Sequence, residues 1–502
     1  MNSSFKRTLA LVLAALMCVT SLAACAADGG KEAPTVTTAS PTPGDTSPTD
    51  SSVPAETEEP RITPNLPAAD FEGHKFTVLT KGQYDATFSS RDIYAEGITG
   101  EVINDAVYQR NKKIEQIYNF EVVEVGSNDP ANVAKNSIMA QNDEYDMLCI
   151  RLKDHITSLI HSGYLYDLNT IDLLDLDQPY YDQSAKKYLS IAGKQFVITG
   201  DLLTMDNDAT TCVLFNKTLF QDLLLEQTIG GSLYDMVKAG KWTLDMLEQC
   251  AMLATSDLDG NQKMDDQDRW GMANEEFNSF VFYNAAGLTL FEKDPITDLP
   301  TATYNTEKSI SVLQRIIPLI NAEFSKFYTT SYSQVHPFFK EGKILFHPSQ
   351  LAEVTLYRAM EFDFGIIPQP KYSEDQDRYY SPIEAYGTNS IAIPITASNL
   401  DRTATIIEAL SCESMYTVTP AYYEVALEGK MLRDVESTEM LEIILSTAMI
   451  ELGYMWNWGS IYGSICTATN TNNTNLASTF KVLQKMIDRS IESTIKAIED
   501  LS

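Results

Sequence analysis

The sequence predicts an α/β protein. Three observations point there: strand and helix signals alternate from Lys75 to Ile150, one of those strands is a near-continuous apolar run, and the composition is globular, at 44% hydrophobic and 10% aromatic.

Lys75 to Thr80 (Lys-Phe-Thr-Val-Leu-Thr) is rich in β-formers and reads as the first strand. Glu101 to Tyr118 has helical spacing, with Val102, Ile103, Ala106, Val107, Ile114 and Ile117 on one side. Phe120 to Val125 is a second strand, and a helical stretch over 130–141 leads to Tyr145–Ile150, a near-continuous apolar run suited to a buried parallel strand. Such a doubly wound beginning binds ligands beyond the carboxyl ends of its strands, which directs attention to 80–92 and 151–155. Phe196–Gly200 is strand-like, Val213–Phe215 is another apolar run, and Trp242-Thr243 opens a helix to Leu253 with Thr243 as N-cap. Phe338–Phe346, Phe362–Pro368 and Ser390–Pro394 read as turn-bounded strands. Ala477 to Leu501 is an amphipathic helix with Phe480, Leu483, Ile487, Ile491, Ile495 and Ile498 inward. No internal repeat is evident.

The first 24 residues read as a signal peptide: Lys6 and Arg7, an apolar run from Leu9 to Val19, then small residues before Cys25. Leu22-Ala23-Ala24-Cys25 resembles the bacterial lipobox, which implies lipidation of Cys25 and anchoring at the outer face of the cell membrane. Residues 25–66, dominated by Thr, Ser, Pro, Asp and Glu, predict a disordered tether. What remains, ~435 residues, is enough for two or three domains. No later segment is long and apolar enough to span a bilayer, so the lipid is the expected sole link to the membrane.

The formal charge is −32, and losing Lys6 and Arg7 with the leader takes the mature chain to −34. That excludes nucleic acid as a partner on electrostatic grounds. Beyond Cys18 and Cys25, the cysteines Cys149, Cys212, Cys250, Cys412 and Cys466 are widely spaced and lie in apolar surroundings, so they read as small buried hydrophobes. None of His74, His155, His161, His336 and His347 lies three or four residues from another, and spacing therefore gives no zinc motif. No Gly-x-Ser-x-Gly elbow is present.

Asp257, Asp259, Asn261, Asp265 and Asp268 place oxygen donors at positions 1, 3, 5, 9 and 12 of a loop, with the Lys263 carbonyl at 7. This is EF-hand spacing, and it predicts a structural Ca²⁺. Gln262 departs from it where glycine makes the turn, and Asp268 is shorter than the usual Glu. Trp270 is expected to pack against the loop. No organic cofactor is expected.

Several segments together resemble the family 1 extracellular solute-binding proteins of ABC importers, over nearly all of 71–502. They are Ile103–Asn111 (Ile-Asn-Asp-Ala-Val-Tyr-Gln-Arg-Asn), Leu214–Lys217, Trp242-Thr243, Phe364–Lys371, and Pro420–Tyr423 followed by Leu432-Arg433-Asp434. The resemblance implies a type II periplasmic-binding-protein fold, with two α/β lobes, a hinge and an interlobe ligand cleft. Lobe 1 is expected at 71–203 and about 381–430, lobe 2 at about 204–380 and 431–502. It also implies a monomeric, non-catalytic receptor that captures a carbohydrate, an oligosaccharide by size, and delivers it to ABC permease subunits. Sugar sites combine aromatic platforms with carboxylates and Arg. Tyr454, Trp456 and Trp458 form the densest aromatic cluster, bracketed by Gly453 and Gly459 as if in a loop. Asp206, Asp208, Tyr386, Tyr84, Asp85 and Arg91 are the further candidates. Two other readings stay open: a lipid-anchored glycoside hydrolase with its acidic pair hidden among 69 carboxylates, and a binding protein that feeds a sensor.

Overall fold

The computed structural model describes residues 61–81, 90–153, 155–329, 332–426 and 435–501. Cys25, Tyr84, Asp85 and Leu432-Arg433-Asp434 lie outside the described residues, as do the leader and most of the predicted tether. The chain divides into two units, Met1–Pro64 and Asn65–Ser502, and the second holds every element named below. Among the described residues, no helix is long and apolar enough to cross a membrane.

In chain order, β1 (His74–Thr80), α1 (Val102–Tyr118), β2 (Phe120–Gly126), α2 (Pro130–Met139), β3 (Met147–Arg151) and α3 (Ile156–His161) alternate as the sequence predicts. Then come β4 (Thr211–Asn216), α4 (Leu244–Ala254), β5 (Trp270–Glu275), α5 (Asn278–Ala285), α6 (Glu307–Ile320), β6 (Ser325–Tyr328), α7 (Val335–Lys340), β7 (Ile344–Gln350) and β8 (Phe364–Ile367). The last part holds β9 (Asn389–Ala392), α8 (Leu400–Ser414), α9 (Val418–Ala426), α10 (Leu452–Trp456), α11 (Ile461–Asn470) and α12 (Leu476–Glu499).

Two principal sheets result. The first has the order β9-β3-β1-β2, with β1 parallel to both neighbours and β9 antiparallel to β3. The second has the order β8-β4-β7-β5-β6, with β5 parallel to β6 and β7, and β4 antiparallel to β7 and β8. Every residue of β3 and β4 is buried, which is why the middle of each reads as an apolar run. The five cysteines after Cys25 are all buried and form no disulfide.

Local chemistry sets the helix starts. Glu101 accepts from Asn104 N at α1, Asp129 from Asn132 N at α2, and Thr243 from Met246 N at α4. Trp242 is fully buried, its Nε1 donates to Pro368 O (2.9 Å), and its backbone pairs with Lys371. Two motifs far apart in sequence thus meet at the edge of the second sheet. Ile103 and Val107 of α1 pack with Val418 and Tyr422 of α9.

Three expectations need correction. Phe338–Phe346 is not one strand: α7 covers Phe338 and Phe339, and the strand begins at Ile344 after a turn. Ile117 is 55% exposed, because α1 ends over solvent at the left-handed Asn119. Tyr454–Gly459 is not a loop; Leu452–Trp456 is helical and a short 3₁₀ turn follows.

The chain passes between the two sheets near Leu203–Thr210 and again near Ile383–Thr388. In this second passage Glu384 N donates to Ala209 O, while Thr388 O and Ala385 O accept from Leu152 N and Lys153 N. This strap therefore touches the entry to β4 and the exit of β3 at once.

Candidate functional site

Lys153 stands just past the carboxyl end of β3, the position where sheets of this kind place ligands. Its Nζ donates to Tyr454 O (2.5 Å) and lies 4.6 Å from the centroid of the Tyr454 ring and 5.4 Å from that of Tyr462. Tyr454 is buried, and its hydroxyl donates to the Glu384 carboxylate. Its ring packs against Tyr462 (4.6 Å), Phe280 (5.1 Å), Phe277 (5.9 Å) and the half-exposed Tyr386 (6.4 Å). An aromatic nest from α5, α10 and α11 is thus capped by one cation from the first sheet. Burial lowers the Lys153 ammonium to about 8, against the pull of Glu384 and Glu451.

The carboxylates around this nest are in different states. Burial, with the charges of Glu353 and Glu384, pushes Glu275 at the end of β5 up to about 8, so it holds a proton at neutral pH. Burial would also raise Glu353, but hydrogen bonds from His336 and His347 outweigh it and hold the group at about 2. Glu275, Glu353, Asn278 and Thr211 front one small cavity. A protonated Glu275 donates and an ionised Glu353 accepts, so its wall offers both halves of a hydroxyl's hydrogen bonding.

On the other side of α10 lies an open groove of about 770 Å³, lined by Trp456, Trp458, His161, Lys485, Arg489 and hydroxyls of α3 and α12. Tyr454 and Trp456 are two residues apart on a helix, about 200° around its axis, and so face opposite ways. The rings of Trp456 and Trp458 stack at 5.6 Å and 8°. Trp458 is buried, with Nε1 donating to Thr494 Oγ1 (3.0 Å), whereas Trp456 is half-buried. The aromatic cluster seen in sequence is therefore divided between two surfaces.

The other candidates form a third group. Asp208 accepts from Arg91 (3.3 Å) and from the Tyr422 hydroxyl (3.1 Å). Asp206 accepts from Thr199 Oγ1 (2.7 Å) and Asn207 N (2.9 Å). Both carboxylates are buried, and burial raises both. Their bonding is satisfied within the protein. Sequence reasoning pointed to 151–155 without singling out Lys153, and it missed Glu275, Glu353, Glu384 and Tyr462; of these, Glu275 and Glu353 had a signal, since each lies at the end of a strand or in its next turn.

In the acidic loop, carboxylate oxygens of Asp257, Asp259 and Asp268 lie within 4.8 Å of one another. Asp257 accepts from Gly260 N (2.7 Å) and Gln262 N (2.7 Å), and Asp268 from Leu258 N (2.8 Å) and Asp265 N (2.7 Å). Gln262 adopts φ 66°, so the turn is made without the glycine. Trp270 Nε1 donates to Asp265 O (3.0 Å), which packs the ring on the loop as expected. An all-oxygen donor set of this kind fits a hard dication.

No family model matches the chain, and no curated protein matches it. Solved structures do. A cyclo/maltodextrin-binding protein complexed with maltotetraose superposes with a TM-score of 0.52 at 14% identity, over 86% of this chain and 98% of its own. UgpB from Mycobacterium tuberculosis, in complex with glycerophosphocholine, gives 0.52 at 14% identity over 77% and 95%. The fold is that of the periplasmic binding proteins. The GacH receptor of Streptomyces glaucescens, solved unliganded and with acarbose, gives 0.50 at 13% identity over 86% and 98%. At such identities the likeness is one of fold, and these periplasmic-binding-type neighbours take unlike solutes. The solute of this chain has to be argued from its own side chains.

Proposed function

We propose that this protein is an extracellular solute receptor that closes two lobes on a carbohydrate of oligosaccharide size and delivers it to an ABC importer. Lobe 1 comprises 71–203 and about 381–430, lobe 2 the remainder from about 204. The observation that carries the proposal is the Lys153 cap: a cation from beyond β3 rests on Tyr454 and Tyr462, which the bounds proposed above assign to lobe 2. Only a solute that touches both sides favours the closed form, and that difference is what a transporter can read. Aromatic faces suit the apolar side of a sugar ring, while Glu275 and Asn278 suit its hydroxyls. Maltotetraose and acarbose, bound by two of the structural neighbours, support this chemistry. The lipid on Cys25 keeps the receptor beside its permease, and Ca²⁺ in the Asp257–Asp268 loop stiffens the approach to β5.

Calorimetric titration of the mature protein with neutral oligosaccharides tests the proposal, with glycerophosphocholine as the non-sugar arm. The expected result is one saccharide per chain, recovered intact. Tyr462→Ala should weaken binding roughly tenfold, about 1.4 kcal/mol, and Trp456→Ala should leave it unchanged; the reverse result would move the sugar to the tryptophan groove. Heat from no saccharide, or steady turnover of one, would sink the receptor reading.

A further inference from the structure

His336 on α7, His347 on β7 and Glu353 on the 3₁₀ turn Leu351–Tyr357 come together although no two share a motif spacing. His336 Nε2 lies 3.1 Å from Glu353 Oε1, and His347 Nε2 lies 3.0 Å from Glu353 Oε2. The two imidazole nitrogens and the carboxylate lie within 4.8 Å of one another. Two donors on one tetrahedral zinc, with bonds of about 2.0–2.1 Å, sit roughly 3.3 Å apart. Each imidazole nitrogen lies within a few tenths of an ångström of that spacing from one carboxylate oxygen, and the three groups all lie within 4.8 Å of one another.

We propose that His336, His347 and Glu353 are ligands of a borderline transition-metal dication, of the zinc class. The donor set is two imidazoles and one carboxylate, with a fourth position open. His347, Ser349 and Glu353 front the small cavity beside Glu275, which has room for the centre of about one water (about 10 Å³). The surroundings support the ligands. The Ser349 hydroxyl donates to Glu353 and fixes that carboxylate. Phe339 lies 5.5 Å from the His347 ring, and Tyr357 lies 5.9 Å and 6.0 Å from the rings of His336 and His347, so aromatic walls keep bulk water away. The Nε2 of His347 faces Glu353, while its Nδ1 is buried without a hydrogen-bond partner. A metal here would tie α7, β7 and the following turn into one rigid corner of the second sheet. The site stands independently of the sugar proposal.

The test uses the full mature chain, stripped with a chelator and then dialysed against Zn²⁺ in excess Ca²⁺, so that the acidic loop does not compete. One zinc per chain is expected, with a raised melting temperature. His336→Gln, whose side chain is at the edge of the cluster, should lower zinc affinity by more than the roughly 10–100-fold that loss of a supporting partner causes, and should remove the thermal shift. Asp257→Asn should keep both. Co²⁺ in the wild-type chain should give the visible absorption of a four- or five-coordinate nitrogen and oxygen site, displaced by zinc, a readout that needs no variant to fold. If no zinc binds, the cluster is a hydrogen-bonded network closed by protons and the proposal is overturned. It is overturned equally if folded His336→Gln binds zinc as the wild type does, or if the cobalt protein shows only octahedral absorption.

Discussion

Arg110 shows how one residue can hold a lobe together. Its guanidinium is buried in α1 and donates to Asp92 O (2.7 Å), Ile93 O (3.2 Å), Leu202 O (3.4 Å) and Ser414 Oγ (3.1 Å). Burial lowers it to about 10, against the charges of Asp92 and Glu413, yet it stays charged at physiological pH. The planar fork is needed because the acceptors lie in different directions around it, and a lysine ammonium cannot reach them all. Arg110→Lys should therefore cost about 2–4 kcal/mol by leaving buried carbonyls without donors. Urea melts should show a lower midpoint at unchanged slope; an unchanged midpoint would refute the role. The sequence placed Arg110 in a helix and in a recognisable segment, and no more was legible. Its partners are supplied by 92–93, 202 and 414, and no local pattern announces contacts that distant.

At the scale of elements, the acidic loop is where sequence spacing carried furthest. The carboxylates of Asp257, Asp259 and Asp268 converge, and the strand β5 begins two residues later. Without a cation these carboxylates repel one another, opposed by the loop's own backbone N–H groups and by side chains such as Asn261 and Trp270. At Ca²⁺ a hundredfold above its dissociation constant, linkage adds about 2.7 kcal/mol to stability. A calcium chelator should lower the melting temperature of the wild type and leave Asp259→Asn unaffected; an unchanged wild type would remove the ion from this loop. The strands β3 and β4 and the cap at Thr243 were legible for a similar reason, since burial on both faces and a cap hydrogen bond are local properties. The aromatic segment was not. Glycines at 453 and 459 suggested a loop, but Gly453 lies where a side chain would collide with the Phe291 ring, so it marks close packing. Tyr454 and Trp456 then diverge as helical neighbours must, and Lys153 and Glu384 complete one side from the far ends of other elements.

For the whole molecule, the excess of acid is partly hidden in its interior. Burial pushes Asp201 up to about 7, assisted by nearby Asp182 and opposed by the hydrogen bond from Thr419. It pushes Glu451 up to about 7 as well, against bonds from backbone N–H groups. Both groups keep their protons in the folded chain over a range where the unfolded chain, with ordinary values of 3.8 and 4.5, has lost them. The folded state thus binds more protons than the unfolded one between about pH 4 and 7, so stability falls as pH rises through that window. A tenfold difference in proton affinity between the two states is worth about 1.4 kcal/mol, so the two groups contribute on the order of several kcal/mol at pH 4 that is gone above pH 7. Glu353 acts in the opposite sense, but only below its ordinary value of 4.5. The formal charge of −32 adds self-repulsion in the same direction as the buried acids. Melting temperature should therefore peak near pH 5 and decline toward pH 8. Asp201→Asn combined with Glu451→Gln should lessen that decline, because amides have no proton to lose, and Glu275, raised to about 8, sustains the remainder. A double variant with the wild-type slope would show that these two acids are already ionised in the folded protein.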